Sequence, residues 1–384
     1  SPVPKLMEQV RPEWKAKSLI ERVNKLIQVD PSSACQRIFN ASLHDLRDKI
    51  KIAGIDIASE AAKQNKLPTL NTNDDVDGYP SSKIIDRSYR MGLLSRPEWR
   101  RLNRCYEIRR DLEHEDNEYE AGPEDCVYIF TTCVEVILSK DPINLVKVVD
   151  FKDLVEQATP VKIGESLLED YKLAPQVRQV EILKLLISKA TNKTVSDIVQ
   201  QNSYVAIGFL RGLTQAGSLT EIGQFLQEKS GRKIDERIAR VATASGTFPY
   251  LRQSARRDFF QEVLNQLEKV SYSWTSYNQH GALLDNLIEF GGLVSCPSPV
   301  RENILCWMVK AYLGEQGGVT SWGNVRNVYY SNTAAPLIKK IIKNYSYSNI
   351  KTDIGRLKNE DTIMKKIENK HIARRFQDIL DFCE

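Results

Sequence analysis

Arginine and histidine, two residue types that suit phosphodiester chemistry, occur together in one short segment of the chain. The segment reads Arg109-Arg110-Asp111-Leu112-Glu113-His114. Histidine titrates near neutral pH and can transfer a proton, whereas arginine stays charged and binds phosphate with its planar fork. We therefore take Arg109 and His114 as the candidate catalytic pair, with Arg110 as an alternative to Arg109.

Helical spacing predicts where these side chains point. At about 100° per residue, one buried apolar stripe is formed by Leu102, Cys105, Ile108 and Leu112. Arg109 flanks this stripe, so it can reach a groove between helices or subunits. Arg110 and His114 project together on the opposite side. The two arginines therefore compete for the catalytic role, while the histidine has no rival.

Four amphipathic helices are predicted to position this segment. They run from Glu13 to Gln28, from Asp30-Pro31 to about Ile50, from Ser95-Arg96-Pro97 to near His114, and onward from Gly122-Pro123. A capping residue followed by proline favours the second of these starts. The segment from Leu67 to Ser82 has almost nothing to bury, so we predict a surface loop there. Residues 1 to about 140 are expected to form a helical bundle with one long loop insertion.

This bundle and its motif resemble the HEPN (higher eukaryotes and prokaryotes nucleotide-binding) family. The family's signature is an arginine, four to six residues, and a histidine, which Arg109 and His114 match. A polar residue such as Asn, Asp or His often follows the family's arginine, and here that residue is Arg110. Pairing Arg110 with Asp111 restores this feature but leaves only three residues before the histidine. The resemblance covers about residues 13 to 140, roughly a third of the chain.

The resemblance implies a site shared by two chains whose motifs face one another across a cleft. RNA would be cleaved there without a metal ion or other cofactor, with the ribose 2′-hydroxyl as nucleophile. His114 would transfer protons and Arg109 would steady the charged phosphate, leaving a cyclic phosphate and a free 5′-hydroxyl. The auxiliary candidates are Arg110, Asp111, Glu113 and Tyr119.

Other basic residues are candidates for holding RNA. Those on the motif helix are Arg96, Arg100, Arg101 and Arg104, although a solvated helix face gives the same pattern. A second cluster contains Arg252, Arg256 and Arg257, for which an ordinary surface is the alternative. The remaining histidines are His44, His280 and His371, which stand alone in the sequence and are interpreted as structural.

The second half of the sequence predicts shorter helices separated by glycine, proline, serine and asparagine. The order Val180 to Ile187, Thr194 to Val199, Val205 to Leu213 and Gly217-Ser218-Leu219 resembles a winged helix-turn-helix unit, and residues 218 to 246 partly repeat it. Helical repeats share this capping geometry, so both architectures stay open. We expect an all-α fold with a bundle at 1–140, a linker at 141–160, a helix-turn-helix-like domain at 161–250 and a C-terminal helical domain at 251–384.

Composition narrows the class of protein. The hydrophobic fraction of 41% and the charged fraction of 27% are ordinary for a globular chain, and a net charge of +4 is too small to indicate a nucleic-acid partner by itself. The seven cysteines form no CxxC pair. The apolar stretch from Val127 to Leu138 is too short to span a membrane, and the N-terminus lacks a secretion signal. We expect a cytoplasmic protein with reduced thiols and no bound metal.

Three functions fit these observations. The leading hypothesis is a homodimeric, metal-independent endoribonuclease, which the family resemblance places in antiviral defence or a toxin system. Its C-terminal region would bind a regulatory protein or nucleic acid. A non-catalytic nucleic-acid-binding regulator that uses the helix-turn-helix-like units is the second. A helical scaffold that binds protein is the third. The sequence contains no GxxxxGK, GxSxG or HExxH motif, so ATPase, serine hydrolase and zinc protease activities are unsupported.

Overall fold

A computed structural model describes residues 3–113, 120–143, 145–231, 233–319, 325–345 and 349–383. Within these ranges the chain is all-α apart from one two-stranded hairpin, as the sequence predicts. The chain forms two compact units. Unit 1 comprises Ser1–Leu154 and Lys162–Leu185, and unit 2 comprises Val155–Val161 and Leu186–Glu384. No helix of the described ranges has both the length and the apolar character that a membrane crossing needs.

Twelve helices are described up to residue 191. They are α1 (Val3–Glu8), α2 (Pro12–Ala16), α3 (Leu19–Leu26), α4 (Pro31–Ala53), α5 (Ile55–Asn65), α6 (Asn73–Asp77), α7 (Ser81–Met91), α8 (Arg96–Glu113), α9 (Pro123–Cys133), α10 (Val148–Val155), α11 (Glu165–Leu173) and α12 (Gln176–Thr191). A π-helical turn at Val134–Leu138 follows α9 directly. The boundary between the two units falls within α12.

Helix α4 lies at the centre of unit 1, where it packs against α3, α7, α8 and α9. It begins as the sequence predicts, because the Asp30 side chain accepts a hydrogen bond from the backbone N–H of Ser33 at 2.9 Å and Pro31 occupies the first turn. Ile38, Phe39 and Leu46 on its inner face are at most 1% exposed. This apolar face fixes the helices that surround it.

The predicted first helix is divided into α2 and α3. Ser18 stands between them with a φ of 57°, in the left-handed region, which ends one helix and starts the next. The indole Nε1 of Trp14 donates to the Asp45 carboxylate at 2.9 Å, and Arg11 also pairs with that carboxylate. These buried contacts attach α2 and the residue before it to α4.

The segment from Leu67 to Ser82 lies mostly at the surface, as predicted, but it is partly helical and buries Leu70, Val76 and Tyr79. Thr72 and Asp75 form a capping box that starts α6, and Leu70 and Val76 are fully buried. The guanidinium of the buried Arg87 donates to the backbone oxygens of Ala58 and Pro68 and to the Tyr79 hydroxyl. The sequence pattern missed this packing because these partners are far apart along the chain.

The rest of unit 2 is described as helices and one hairpin. The elements are α13 (Asp197–Leu210), α14 (Ala216–Ser230), α15 (Glu236–Ser245), α16 (Gln253–Val270), α17 (Tyr277–Glu289), α18 (Ser298–Leu313), β1 (Glu315–Val319), β2 (Val325–Tyr329), α19 (Ala334–Lys343), α20 (Ile350–Arg356), α21 (Asp361–Ile367) and α22 (Lys370–Asp381). Short 3₁₀ turns occupy Arg211–Leu213, Phe248–Tyr250, Trp274–Ser276 and Leu357–Asn359. The antiparallel hairpin pairs Glu315 with Tyr329 and Val319 with Val325.

The helix order of the second half differs from a winged helix-turn-helix. Residues predicted as two helices, around Val199 and Val205, belong to the single helix α13. The predicted glycine turn at Gly217 lies inside α14. Asn202 and Ser203 explain the continuity, because both are buried and hydrogen-bonded: Asn202 to backbone groups of residues 155–161, and Ser203 to the Val199 carbonyl. Near the C-terminal end of the described chain, Asn369 separates α21 from α22, and its side chain caps α22.

Candidate active site

Helix α8 presents its apolar stripe to the core of unit 1, where it packs against α4, α7 and α9. Leu102 and Cys105 are fully buried and Ile108 is 4% exposed, as the helical spacing predicts, while Leu112 is half-buried. The orientation of α8 is therefore fixed by apolar packing along its length. This orientation decides which of the helix's arginines lies against the protein.

Arg109 lies at the edge of the buried stripe, and its side chain is only 18% exposed. Its guanidinium carbon lies 5.8 Å from the centroid of the Phe39 ring on α4, within the range of a cation–π contact. One terminal nitrogen pairs with the Glu113 carboxylate at 2.5 Å, one helical turn further on. Its Nε is buried and has no hydrogen-bond partner among the described residues. Two contacts thus hold the side chain, while the Nε–H has no partner within the described ranges.

Arg110 has a different environment from its neighbour. Its side chain is 58% exposed, and its Nε lies 4.0 Å from an Asp111 carboxylate oxygen, which is too far for a hydrogen bond. An exposed arginine of this kind samples many rotamers, and a surface ion pair contributes little to fixing it. The structure therefore separates the two arginines that the sequence leaves as alternatives, since only Arg109 is held in place.

The other basic residues of α8 lie towards solvent. Arg96 and Arg100 are exposed, Arg101 pairs with Glu135 at 2.9 Å, and Arg104 lies 3.5 Å from Glu107. Two of these four cations thus already have a carboxylate partner. Because these carboxylates offset part of the positive charge, this part of the helix attracts phosphate less strongly.

His114 and Tyr119 lie outside the described residues. The residues on either side of them contact the first two turns of α4. The carbonyl of Leu112 accepts a hydrogen bond from the Gln36 side-chain amide at 3.4 Å, and the Ala121 N–H donates to the Ser32 hydroxyl at 3.0 Å. The described end of α8 is therefore held close to Gln36 of α4.

A groove of about 550 Å³ runs along α3 and α4 in unit 1. Its lining comprises Trp14, Lys17, Leu19, Arg22, Leu26, Ser33, Gln36, Arg37, Asn40, Ala41 and His44. Gln36 belongs both to this groove and to the contact with the end of α8. Sequence reasoning missed the groove, because its lysine and arginines are scattered over the 21 positions from Lys17 to Arg37 and only the packing of α3 on α4 brings them together.

Four cysteines in the core of unit 1 are candidates for chemistry by their proximity. Cys35 of α4 and Cys126 of α9 have their sulfur atoms 3.4 Å apart, and Cys105 and Cys133 are fully buried. Burial is the main cause that raises the pKa of the Cys35 and Cys133 thiols, and neighbouring thiols raise it further. These thiols stay protonated near neutral pH and are poor nucleophiles.

The other predicted positions have ordinary structural surroundings. His280 is fully buried, its Nε2 lies 2.9 Å from the Ser271 carbonyl oxygen, and its ring meets Trp307 edge to face. In the basic cluster of unit 2, Arg256 donates to the Ser295 carbonyl and Arg257 lies 3.7 Å from Asp258. Within the described ranges, no group of three or more histidine, cysteine, aspartate or glutamate side chains could hold a metal ion.

Comparison with known protein families, curated proteins and solved structures finds no match to this chain.

Proposed function

We propose that this protein is a metal-independent endoribonuclease whose active site contains Arg109 and His114. The observation that supports the proposal is the environment of Arg109. It is a mostly buried arginine held by Phe39 and Glu113, with a buried N–H that finds no partner in the described part of the chain. Such a cation is preorganised to receive an oxyanion, because it needs little reorganisation when negative charge develops on a phosphate. The RNA substrate and the role of His114 rest on the HEPN resemblance.

In the proposed reaction the ribose 2′-hydroxyl attacks the adjacent phosphorus atom and the bond from phosphorus to the 5′-oxygen breaks. A base removes the 2′ proton, and the departing 5′-oxygen receives a proton, so that a 2′,3′-cyclic phosphate and a free 5′-hydroxyl result. His114 supplies the proton transfer. Arg109 stabilises the charge on the phosphate, and Glu113 orients Arg109. Arg110, Asp111 and Tyr119 are auxiliary residues in this scheme.

The site is proposed to be completed by a second copy of the chain, paired through the N-terminal bundle so that two motifs share one cleft. Arg96, Arg100, Arg101 and Arg104 would attract the RNA electrostatically from the same helix. The C-terminal region would bind the regulatory protein or nucleic acid that controls cleavage, in a cytoplasmic antiviral or toxin system.

The test is cleavage of a single-stranded RNA in excess EDTA by wild type, Arg109→Ala and His114→Ala. We expect wild type to produce cyclic-phosphate and 5′-hydroxyl ends, and each variant to lose at least about 100-fold in rate. Arg90→Ala, which changes an exposed arginine on α7 that has no assigned role in the site, is the matched control and should retain wild-type cleavage within a few-fold. Equal cleavage by wild type and both motif variants would disprove the proposed site.

A further inference from the structure

The groove along α3 and α4 has an unbalanced charge. Lys17, Arg22 and Arg37 line it together with His44, and its lining contains no carboxylate. Arg22 and Arg37 are exposed, and no carboxylate in the described residues forms an ion pair with either of them. Like charges gathered in one groove repel each other, so an anionic ligand that bound there would relieve this repulsion.

Some other surface cations of unit 1 are paired, whereas Arg90, Arg96 and Arg100 are exposed and form no ion pair within the described residues. Lys25 on the same helix as Arg22 lies 2.6 Å from Glu21, Lys51 lies 2.7 Å from Asp77, and Arg101 pairs with Glu135. The groove is distinguished by gathering Lys17, Arg22 and Arg37 on one concave surface. None of the three forms an ion pair with a carboxylate within the part of the chain that the structure describes, although Glu21 interacts with Arg22 at longer range, and this excess of positive charge favours a negative ligand.

We propose that the groove between α3 and α4 binds the sugar–phosphate backbone of single-stranded RNA and guides it to Arg109. This inference rests on the proposed ribonuclease function and adds a substrate-binding surface to it. Gln36 connects the two places, because it lines the groove and also donates to the carbonyl of Leu112, three residues after Arg109. Phe39 lies beside Gln36 and Asn40 on α4, and its ring makes the cation–π contact with the Arg109 guanidinium.

The dimensions of the groove favour a single strand. Arg37 and His44 are seven residues apart on one helix, a rise of about 10 Å, which corresponds to about three nucleotides stacked at about 3.4 Å each. Site sizes of about four or more nucleotides are usual for proteins that bind single strands in a cationic groove.

The uncharged lining favours a nucleic acid over an acidic peptide. Ser33, Gln36 and Asn40 place a hydroxyl and two amides beside the cations. Amide groups both donate and accept hydrogen bonds, so they can bind ribose hydroxyls and base edges, while the arginine forks bind phosphate oxygens. An acidic peptide would also use the cations, and its backbone would offer amide partners, but it has no ribose hydroxyls.

The test measures binding of a fluorescein-labelled 12-nucleotide oligouridylate by fluorescence anisotropy, with the full chain carrying His114→Ala so that the RNA stays intact. Arg22→Glu and Arg37→Glu are compared with Lys25→Glu, which makes the same charge change on α3 at a paired side chain that does not line the groove. We expect each groove variant to weaken binding at least about tenfold, and the control to stay within about twofold. Arg22→Gln and Arg37→Gln should each lower the salt dependence of binding by about 0.7 in log–log slope.

Three results would overturn the inference. The groove variants and Lys25→Glu could weaken binding equally, which would indicate general electrostatic attraction. RNA binding could be unchanged in both groove variants, with melting temperatures equal to that of the parent chain. A fluorescein-labelled peptide of twelve glutamates could bind more tightly than the RNA and depend on the same arginines, which would assign the groove to an acidic protein partner.

This experiment separates the groove from the active site. If wild type cleaves no RNA in EDTA but oligouridylate binding depends on Arg22 and Arg37, the groove stands as an RNA-binding surface and the endoribonuclease proposal fails. If cleavage depends on Arg109 while binding does not depend on the groove arginines, the endoribonuclease proposal stands and the groove inference fails.

Discussion

The two ends of helix α8 both carry arginines, yet they hold them in different ways. At the C-terminal end, Arg109 is 18% exposed and lies over Phe39, with Glu113 beside it. Towards the N-terminal end, Arg96 and Arg100 are exposed. The difference arises because Arg109 flanks the buried stripe of the helix, whereas the other two lie on its outer side.

From this difference we infer which arginines can contribute to catalysis and which only attract a polyanion. A side chain held by packing has already lost its rotamer freedom on folding, so it can bind a developing charge without a further entropic penalty. An exposed arginine must be ordered by its ligand, and its attraction for phosphate is screened by salt. We therefore assign transition-state stabilisation to Arg109 and long-range attraction of RNA to the exposed arginines of α8.

Removing the contact between Arg109 and the Phe39 ring tests whether the packing of Arg109 matters for cleavage. Phe39→Leu keeps an apolar side chain but removes the ring beneath the guanidinium. We expect cleavage to fall by about tenfold or more, because small displacements of a catalytic group are costly. Unfolding free energy should fall by about 1–2 kcal/mol, since the side chain is fully buried. Cleavage assays and denaturant titrations measure the two effects separately.

Phe130→Leu is the matched control for this variant. Phe130 is also fully buried in unit 1 but lies on α9. It should lose a similar amount of stability and retain wild-type cleavage. If both variants lose cleavage to the same degree, the effect is one of general packing and the special position of Arg109 is not supported.

The N-terminal end of α8 gives a smaller effect that should change stability alone. Burial acts to raise the pKa of Glu98, but hydrogen bonds from Lys140 and from the Ser95 side chain and backbone N–H outweigh it and lower that pKa. The ionised carboxylate therefore stabilises the folded chain above pH about 4.5, and this contribution is lost as the pH falls through the lowered value. Glu98→Gln should lower unfolding free energy by about 1 kcal/mol at pH 7.

The control for this prediction is Glu107→Gln, which changes an exposed carboxylate on the same helix. Its stability should stay within about 0.5 kcal/mol of wild type at every pH. The difference between wild type and Glu98→Gln should shrink in urea titrations repeated at pH 3 to 4, and both variants should keep wild-type cleavage at pH 7. A destabilisation by Glu98→Gln that grows as the pH falls would contradict the sign of the pKa shift.

Local patterns in the sequence predicted the elements that carry the motif. The apolar spacing of Leu102, Cys105 and Ile108 and the capping residue Asp30 depend only on near neighbours, and the structure confirms both. The packing within the segment from Leu67 to Ser82 was missed, because it depends on Arg87 and Tyr79, which meet only in the folded chain. The sequence predicted two helices where the structure has the single helix α13, for the same reason. Asn202 of this helix hydrogen-bonds to residues more than 40 positions away.

The candidate site was predicted only in part. Helical spacing placed Arg109 beside the buried stripe, but it could not distinguish a held arginine from a solvated one, because Phe39 lies about 70 positions earlier in the chain. The sequence did not predict the positive charge of the α3–α4 groove, for the same reason. Its arginines, Arg22 and Arg37, meet across two helices whose packing no local pattern specifies.

The most direct test of the central claim compares the two adjacent arginines by single-turnover RNA cleavage in EDTA. Arg109→Lys and Arg110→Lys keep the positive charge and remove the planar fork, so they test geometry and not charge. The account predicts a loss of about 100-fold for Arg109→Lys and of less than about threefold for Arg110→Lys. An equal loss in the two variants, or a larger loss for Arg110→Lys, would contradict the assignment of catalysis to the held arginine.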